Sequence, residues 1–130
     1  MTTTIDAPTT VARYFDFWNA DAAGRRRRLA ATVFATDVAY VAPIGAKHGV
    51  DELIGLADDF ATNLGDVAFV ARSAPEVHHD RVRVRWELLR GDDSFAEGTD
   101  ILVVDDNGRI SSVTTFLDRA PTGFDPHAHA

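Results

Sequence analysis

The sequence predicts an α+β fold, with three helices covering one face of a mainly antiparallel sheet. Three observations lead there. Apolar residues recur at helical spacing only as far as Leu64. From Val67 onward the runs are short, rich in β-branched residues and alternating. Asp105-Asp106-Asn107-Gly108 then separates two such runs with a strong hairpin signal, because Asn-Gly tolerates positive φ. Helices first and strands afterwards, joined by short turns, indicate α+β with the helices packed on the apolar face of the sheet.

The first helix is expected at roughly 9–20, with Pro8 in its first turn and Val11, Tyr14, Phe15 and Trp18 on one stripe. Tyr14 has two readings: a core tyrosine tied to a carbonyl, or a phenol donor aimed into a cavity. A second helix at about 25–35 carries Leu29, Val33 and Phe34 on its apolar side. Arg25 to Arg28 span more than one helical turn and cannot all face one ligand, so they read as a solvated face. DVAYVA, 37–42, reads as a strand ended by Pro43 and Gly45. Lys47, His48 and Gly49 lead into a third helix at 50–64, whose stripe is Leu53, Leu56, Ala57, Phe60 and Leu64. His48 is either an idle loop histidine or a residue at a pocket mouth.

Strands follow at 67–71, 76–79 and 81–90, then the hairpin 95–118. With Asn107 and Gly108 as loop residues, Asp100 falls opposite Thr115 and Leu102 opposite Val113. Alternation gathers Ala96, Gly98, Asp100, Leu102, Val113, Thr115 and Leu117 on one face. In RVRVRWELLR, Val82, Val84, Trp86 and Leu88 share one face, and Arg83, Arg85, Glu87 and Leu89 the other. The apolar side faces inward in the simplest reading; the alternative places Arg85 and Glu87 in a cavity as a charge pair.

The 130 residues fit one domain, 1–130, with a core at about 9–118 and a loose Pro/Gly-rich tail at 119–130 in which His127 and His129 are incidental. Apolar residues make up 45%, enough for a core, so a globular enzyme or binding domain is favoured over a disordered segment. The lack of cysteine excludes a disulfide framework, a zinc-thiolate site and a cysteine nucleophile. A net charge of −7 argues against nucleic-acid and anionic-membrane surfaces. No apolar run reaches the ~18 residues of a membrane span. MTTTIDAPTT lacks the basic and apolar parts of a signal peptide, so a cytoplasmic location is expected. His78 and His79 are adjacent on a strand and point to opposite faces, so no metal site is expected there. No phosphate-binding glycine loop, dinucleotide fingerprint or nucleophile elbow is present, so no cofactor is expected.

Asp100 is the most informative single residue. Among Ala96, Gly98, Leu102 and Val113, an ionised carboxylate is costly to bury, and burial drives it toward the neutral form, which can donate a hydrogen bond. Tyr14 is the second donor if the first helix lies over the hairpin, and two neutral donors on one carbonyl oxygen form an oxyanion hole. The plainer reading is an Asp100 that caps a turn or faces water.

RYFDFWNA in the first helix, TDVAYVAPIG leading to GVDELI, and EGTDILVVDDNGRISSV, in that order over residues 9–118, resemble the nuclear transport factor 2-like superfamily in its SnoaL-like and ketosteroid-isomerase-like branch. The resemblance implies a cone-shaped curved sheet wrapped by helices around an apolar pocket for a small hydrophobic molecule, and a homodimer. Tyr14 and Asp100 match the tyrosine and aspartic acid that hold the dienolate oxygen in ketosteroid isomerases, an enzyme known for its protonated aspartic acid. The isomerase's general base falls at Ala42, which moves no proton. Limonene-epoxide-hydrolase-like members are matched in part by Arg85, Glu87 and Tyr40, with Ala42 and Thr115 replacing other members of that set.

The functional expectation is a SnoaL-like protein binding a small carbonyl-bearing or cyclic ligand, with cofactor-free acid–base chemistry of the isomerase, cyclase or lyase type. Tyr14 and Asp100 are the catalytic candidates; the base is His48, Glu87 or the substrate itself. The expected lining is Trp18, Tyr40, His48, Phe60, Arg85, Trp86, Glu87, Leu102, Val113 and Thr115. A non-catalytic binding or dimerisation module is the second expectation, and epoxide hydrolysis, which needs Arg85 and Glu87 buried together, the third.

Overall fold

Asp6 starts the first helix by accepting hydrogen bonds from Thr9 N at 3.2 Å and Thr9 Oγ1 at 2.8 Å. In the computed structural model, which describes residues 6–121, this helix, α1, runs Ala7–Asn19 and buries Val11, Tyr14, Phe17 and Trp18. Helix α2 (Ala23–Val33) follows, and α3 spans Val50–Leu64 with Leu53, Ile54 and Ala57 buried. Asp51 and Glu52 lie in the first turn of α3, where they suit the helix dipole. Beyond Pro121, the expected tail with His127 and His129 lies outside the described residues; Arg119 belongs to the last strand.

The second helix lies about two residues earlier than its sequence pattern predicts. It stops at Val33, and Phe34, placed on its apolar side by periodicity, opens the first strand, β1 (Phe34–Ala42). Lys47 and His48 also differ from expectation. They form β2 (Gly45–His48), which folds back on β1 after Pro43 with Gly45 at φ 145°, and Gly49 at φ 86° turns the chain into α3. The remaining strands are β3 (Ala68–Ala71), β4 (Glu76–His78), β5 (Arg81–Arg90), β6 (Asp93–Val104) and β7 (Ile110–Arg119).

The sheet runs β2-β1-β7-β6-β5-β3, with β4 also on β5; it is curved and unclosed. All neighbours are antiparallel except β1 and β7, so the sheet is mixed. In the β6–β7 hairpin Asp100 pairs with Thr115 and Leu102 with Val113, the register that alternation predicts. The tip differs from a two-residue loop. Asp105 Oδ1 accepts from the backbone N–H groups of Asn107 (2.9 Å) and Arg109 (3.0 Å), and of the two expected loop residues only Gly108 has positive φ, at 79°. The mismatch is taken up by an irregularity at Val103/Val104.

The core lies between the helices and the inner sheet face. Tyr14, Phe17, Phe34, Leu53, Leu102 and Ile110 are all fully buried, and the Phe17 and Phe34 rings meet edge-on at 4.8 Å. The arginine run is not wholly solvated: Arg26 is buried on the stripe it shares with Ala30 and Val33. Its guanidinium donates to the carbonyls of Phe17 and Ala20 and pairs with Asp58, tying the end of α1 to α2 and α3. No helix among the described residues is long and apolar enough to cross a membrane.

Candidate functional site

Alternation and register decide what faces the space under α1. On β5, Val82, Val84, Trp86 and Leu88 are buried and point inward. On β6 and β7 the same face carries Ala96, Gly98, Asp100 and Thr115. Asn19 is exposed, and its amide bonds both Phe69 O (2.9 Å) and Phe69 N (2.8 Å), as a strand neighbour would, and so fixes β3 to the end of α1.

Between these elements lies a cavity of about 390 Å³, within the ordinary range for small-molecule sites. Aromatic and aliphatic side chains form most of its wall, among them Phe15, Trp18, Phe60, Phe69, Leu88 and Phe95. Tyr14, Tyr40, Asn63, Asp100 and Thr115 bring polar side-chain atoms to it, and among the described residues Asp100 is the only carboxyl in the lining and no histidine, lysine or arginine belongs to it.

Tyr14 and Asp100 meet directly. Tyr14 Oη donates to Asp100 Oδ2 at 2.5 Å, and Trp86 Nε1 donates to Asp100 Oδ1 at 2.9 Å. Asp100 is 5% exposed, and desolvation pushes its pKa up. The hydrogen bonds of Tyr14 and Trp86 and the neighbouring Thr115 hydroxyl pull the other way without cancelling that effect. Burial, followed by the charge of Asp100, holds Tyr14 well above the ordinary phenol value, while the nearby Trp18 indole acts oppositely. Tyr40 is raised by the same two causes in the same order. Both phenols are therefore neutral donors over the physiological range.

Thr115 Oγ1 is close enough to Asp100 and Tyr40 to act on both, yet it is buried with no partner in hydrogen-bonding geometry. A buried hydroxyl left unpaired costs about 1–3 kcal/mol. Thr115→Val is expected to stabilise the ligand-free protein by about 1 kcal/mol, read as a higher denaturant midpoint. A midpoint lowered by the same amount would mean the hydroxyl is already satisfied in solution.

Of the residues expected from sequence, Tyr14, Trp18, Tyr40, Phe60, Trp86, Asp100 and Thr115 line the cavity. Leu102 and Val113 do not; they are fully buried in the core beneath it. His48 is exposed on β2, where its backbone N–H bonds Glu52. Arg85 and Glu87 are corrected as well: they project from the opposite face of β5, Arg85 exposed and Glu87 half-buried, because Val84 and Trp86 take the inward positions. The buried Arg85–Glu87 pair that epoxide hydrolysis needs is absent. Phe15, Asn63, Phe69, Leu88 and Phe95 are lining residues that sequence reasoning missed. The apolar stripe of α1 pointed to Phe15, and the inward alternation of β5 to Leu88.

The sequence profile of the SnoaL-like domain matches residues 11–113, well over half of the chain. The chain belongs to the SnoaL-like family. Its structure is similar to that of a SnoaL-like family protein of Agrobacterium tumefaciens strain C58, provisionally named an isomerase. The two share 29% identity with a TM-score of 0.82, over 86% of this chain and 97% of that one. A protein of Jannaschia sp. CCS1 provisionally named a SnoaL-like polyketide cyclase shares 15% identity at a TM-score of 0.70, over 91% of this chain and 92% of that one. An NTF2-like protein of Cytophaga hutchinsonii shares 12% at 0.66, over 91% and 95%; these two show the fold alone. Among proteins of curated function, none matches the sequence. Membership of the SnoaL-like family and the α+β architecture thus agree with the expectations from sequence.

Proposed function

We propose that the cavity binds a small hydrophobic ligand carrying a carbonyl or enol oxygen, and that Tyr14, backed by Asp100, polarises that oxygen in a cofactor-free isomerisation or ring closure. The observation that carries this reading is a buried carboxyl bonded to a phenol, both at the wall of an apolar cavity of ligand size. In so apolar a site a neutral, pre-positioned phenol stabilises developing negative charge on oxygen at little cost in reorganisation. The provisional name of the Agrobacterium protein, an isomerase, supports chemistry of this class.

The base is supplied by the substrate in this scheme. His48 and Glu87 stand outside the cavity, and Ala42 lines it without a titratable group. A proton leaving carbon would then pass to another atom of the same ligand, as isomerisation and intramolecular condensation both allow.

The test is exchange of α-protons for solvent deuterium, followed by NMR, in a panel of mono- and bicyclic ketones that carry their own amine or carboxylate within reach of the α-carbon, so that the group which takes the proton can trade it with solvent. Wild-type protein should accelerate exchange of those ketones that bind, and Tyr14→Phe should slow it by about 10²–10³-fold, the usual loss for one oxyanion donor. Ketones that bind without any accelerated exchange would favour the alternative, a non-catalytic binding module on the same fold.

A further inference from the structure

Trp86 and Gly98 face each other across the β5–β6 ladder, and the indole lies over the glycine. A Cβ at position 98 would come within 3.0 Å of ring atoms Cζ2, Cε2 and Cη2. Gly98 is not among the residues of positive φ, so this position needs empty space rather than backbone freedom. Phe69 holds the ring edge-on at 5.3 Å. Arg72 grips the backbone of the same two residues, Nε on Trp86 O at 2.9 Å and Nη2 on Gly98 O at 2.9 Å. The indole is thus fixed from several sides, with Nε1 on Asp100 Oδ1.

An indole N–H only donates. Oδ1 is therefore an acceptor whatever the charge on Asp100. When the carboxyl is ionised, Oδ2 accepts from Tyr14 and the phenol hydrogen is turned inward. When it is neutral, its proton has only Oδ2 to occupy, and the partner there is Tyr14 Oη. The phenol then accepts from Asp100, and its own hydrogen is free to point into the cavity. The titratable groups facing Asp100 are Tyr14 from α1 and Tyr40 from β1; Trp86 from β5 and Thr115 from β7 carry no charge.

We infer that Trp86, seated by Gly98, is a positioning residue that orders the hydrogens along Trp86–Asp100–Tyr14, so that Tyr14 offers a hydrogen to the ligand. The site then selects ligands with an acceptor oxygen over those that only donate. This deepens the proposed function and rests on it for the ligand; the order of hydrogens itself can be read in the free protein.

The chain has two tryptophans, so its ¹H–¹⁵N spectrum has two indole signals, and Trp86→Phe assigns one of them. The Trp86 signal should lie far downfield and titrate in one step above the ordinary carboxylate range. In Asp100→Asn it should stay downfield and stop titrating, because the amide oxygen accepts from the indole and the amide N–H donates to Tyr14. In Gly98→Ala the indole is displaced, and its signal should move upfield and lose the titration. A Trp86 signal that does not titrate in the wild-type protein, or that is unchanged in Gly98→Ala, overturns the inference. Should Gly98→Ala fail to fold, the ¹³C-carboxyl titration of Asp100 in Trp86→Phe decides. Loss of a donor to the charged form should move it upward, and an unmoved titration overturns the inference. Failure of the panel of mono- and bicyclic ketones to bind, with these titrations intact, counts instead against the proposed function.

Discussion

Asp100→Ala should lower catalysed α-proton exchange by about 10²–10⁴-fold, the usual contribution of one positioned acid–base group, in a protein whose circular dichroism is unchanged. The loss is expected to be large because one carboxyl serves two neighbours: it holds the hydroxyl of Tyr14 and the N–H of Trp86. Removing it leaves a buried indole donor unpaired and frees the phenol to rotate. Asp100→Asn should lose far less, since an amide reproduces both hydrogen bonds of the neutral acid. A rate within about threefold of wild type in folded Asp100→Ala would remove this residue from the mechanism.

The same variant pair reads the sign of the pH effect. The folded pKa of Asp100 lies above its unfolded value, mainly through desolvation. The stability it contributes is therefore fully present below the unfolded carboxylate pKa and is lost as pH rises through the folded one. Asp100→Asn removes that titration. Its melting temperature relative to wild type should climb as pH rises across this window and be flat on either side. A difference that falls with rising pH would mean that the carboxylate, not the acid, is the form the fold prefers.

Arg26→Ala should destabilise the protein by about 3 kcal/mol, the low end of the range for breaking a buried ion pair, and lower the melting point by roughly 10 °C. The low end applies because Asp58 is 40% exposed and can find water, whereas Arg26 is only 3% exposed. The larger part of the loss comes from the carbonyls of Phe17 and Ala20, which Arg26 satisfies at the end of α1. Asp58→Asn should accordingly cost under about 1 kcal/mol. Equal losses from the two variants would place the energy in the ion pair instead.

The hairpin was legible in the sequence because alternation and a turn signal agree there. The inward set around Asp100 and its pairing with Thr115 follow from period two, although the loop at the tip is longer than two residues. Arg26 was not legible, because charge suggests solvent while position suggests burial. The spacing Arg26, Ala30, Val33 carried the signal, but only the facing carbonyls of α1 explain why a guanidinium is tolerated there. The contact of Trp86 with Gly98 was hidden for another reason. It depends on the β5–β6 register across the Gly91 turn, where the pairing slips between Leu88 and Leu89. Ala42 was read from the sequence as the missing base, and it does line the cavity. His48 and Glu87, offered as substitutes, fail because a four-residue strand and the pleat of β5 carry them away.

The β6–β7 ladder slips twice, at Glu97/Gly98 and at Val103/Val104, and between those slips Gly98 to Val103 keep one unbroken pairing. Asp100 lies inside that segment, insulated at both ends. Lengthening the Asp105–Arg109 tip by a residue, or shortening it, can be absorbed where the ladder already yields, and the acid stays beside its phenol. The outer loops of this hairpin can therefore diverge in length and sequence while the chemical centre keeps its geometry.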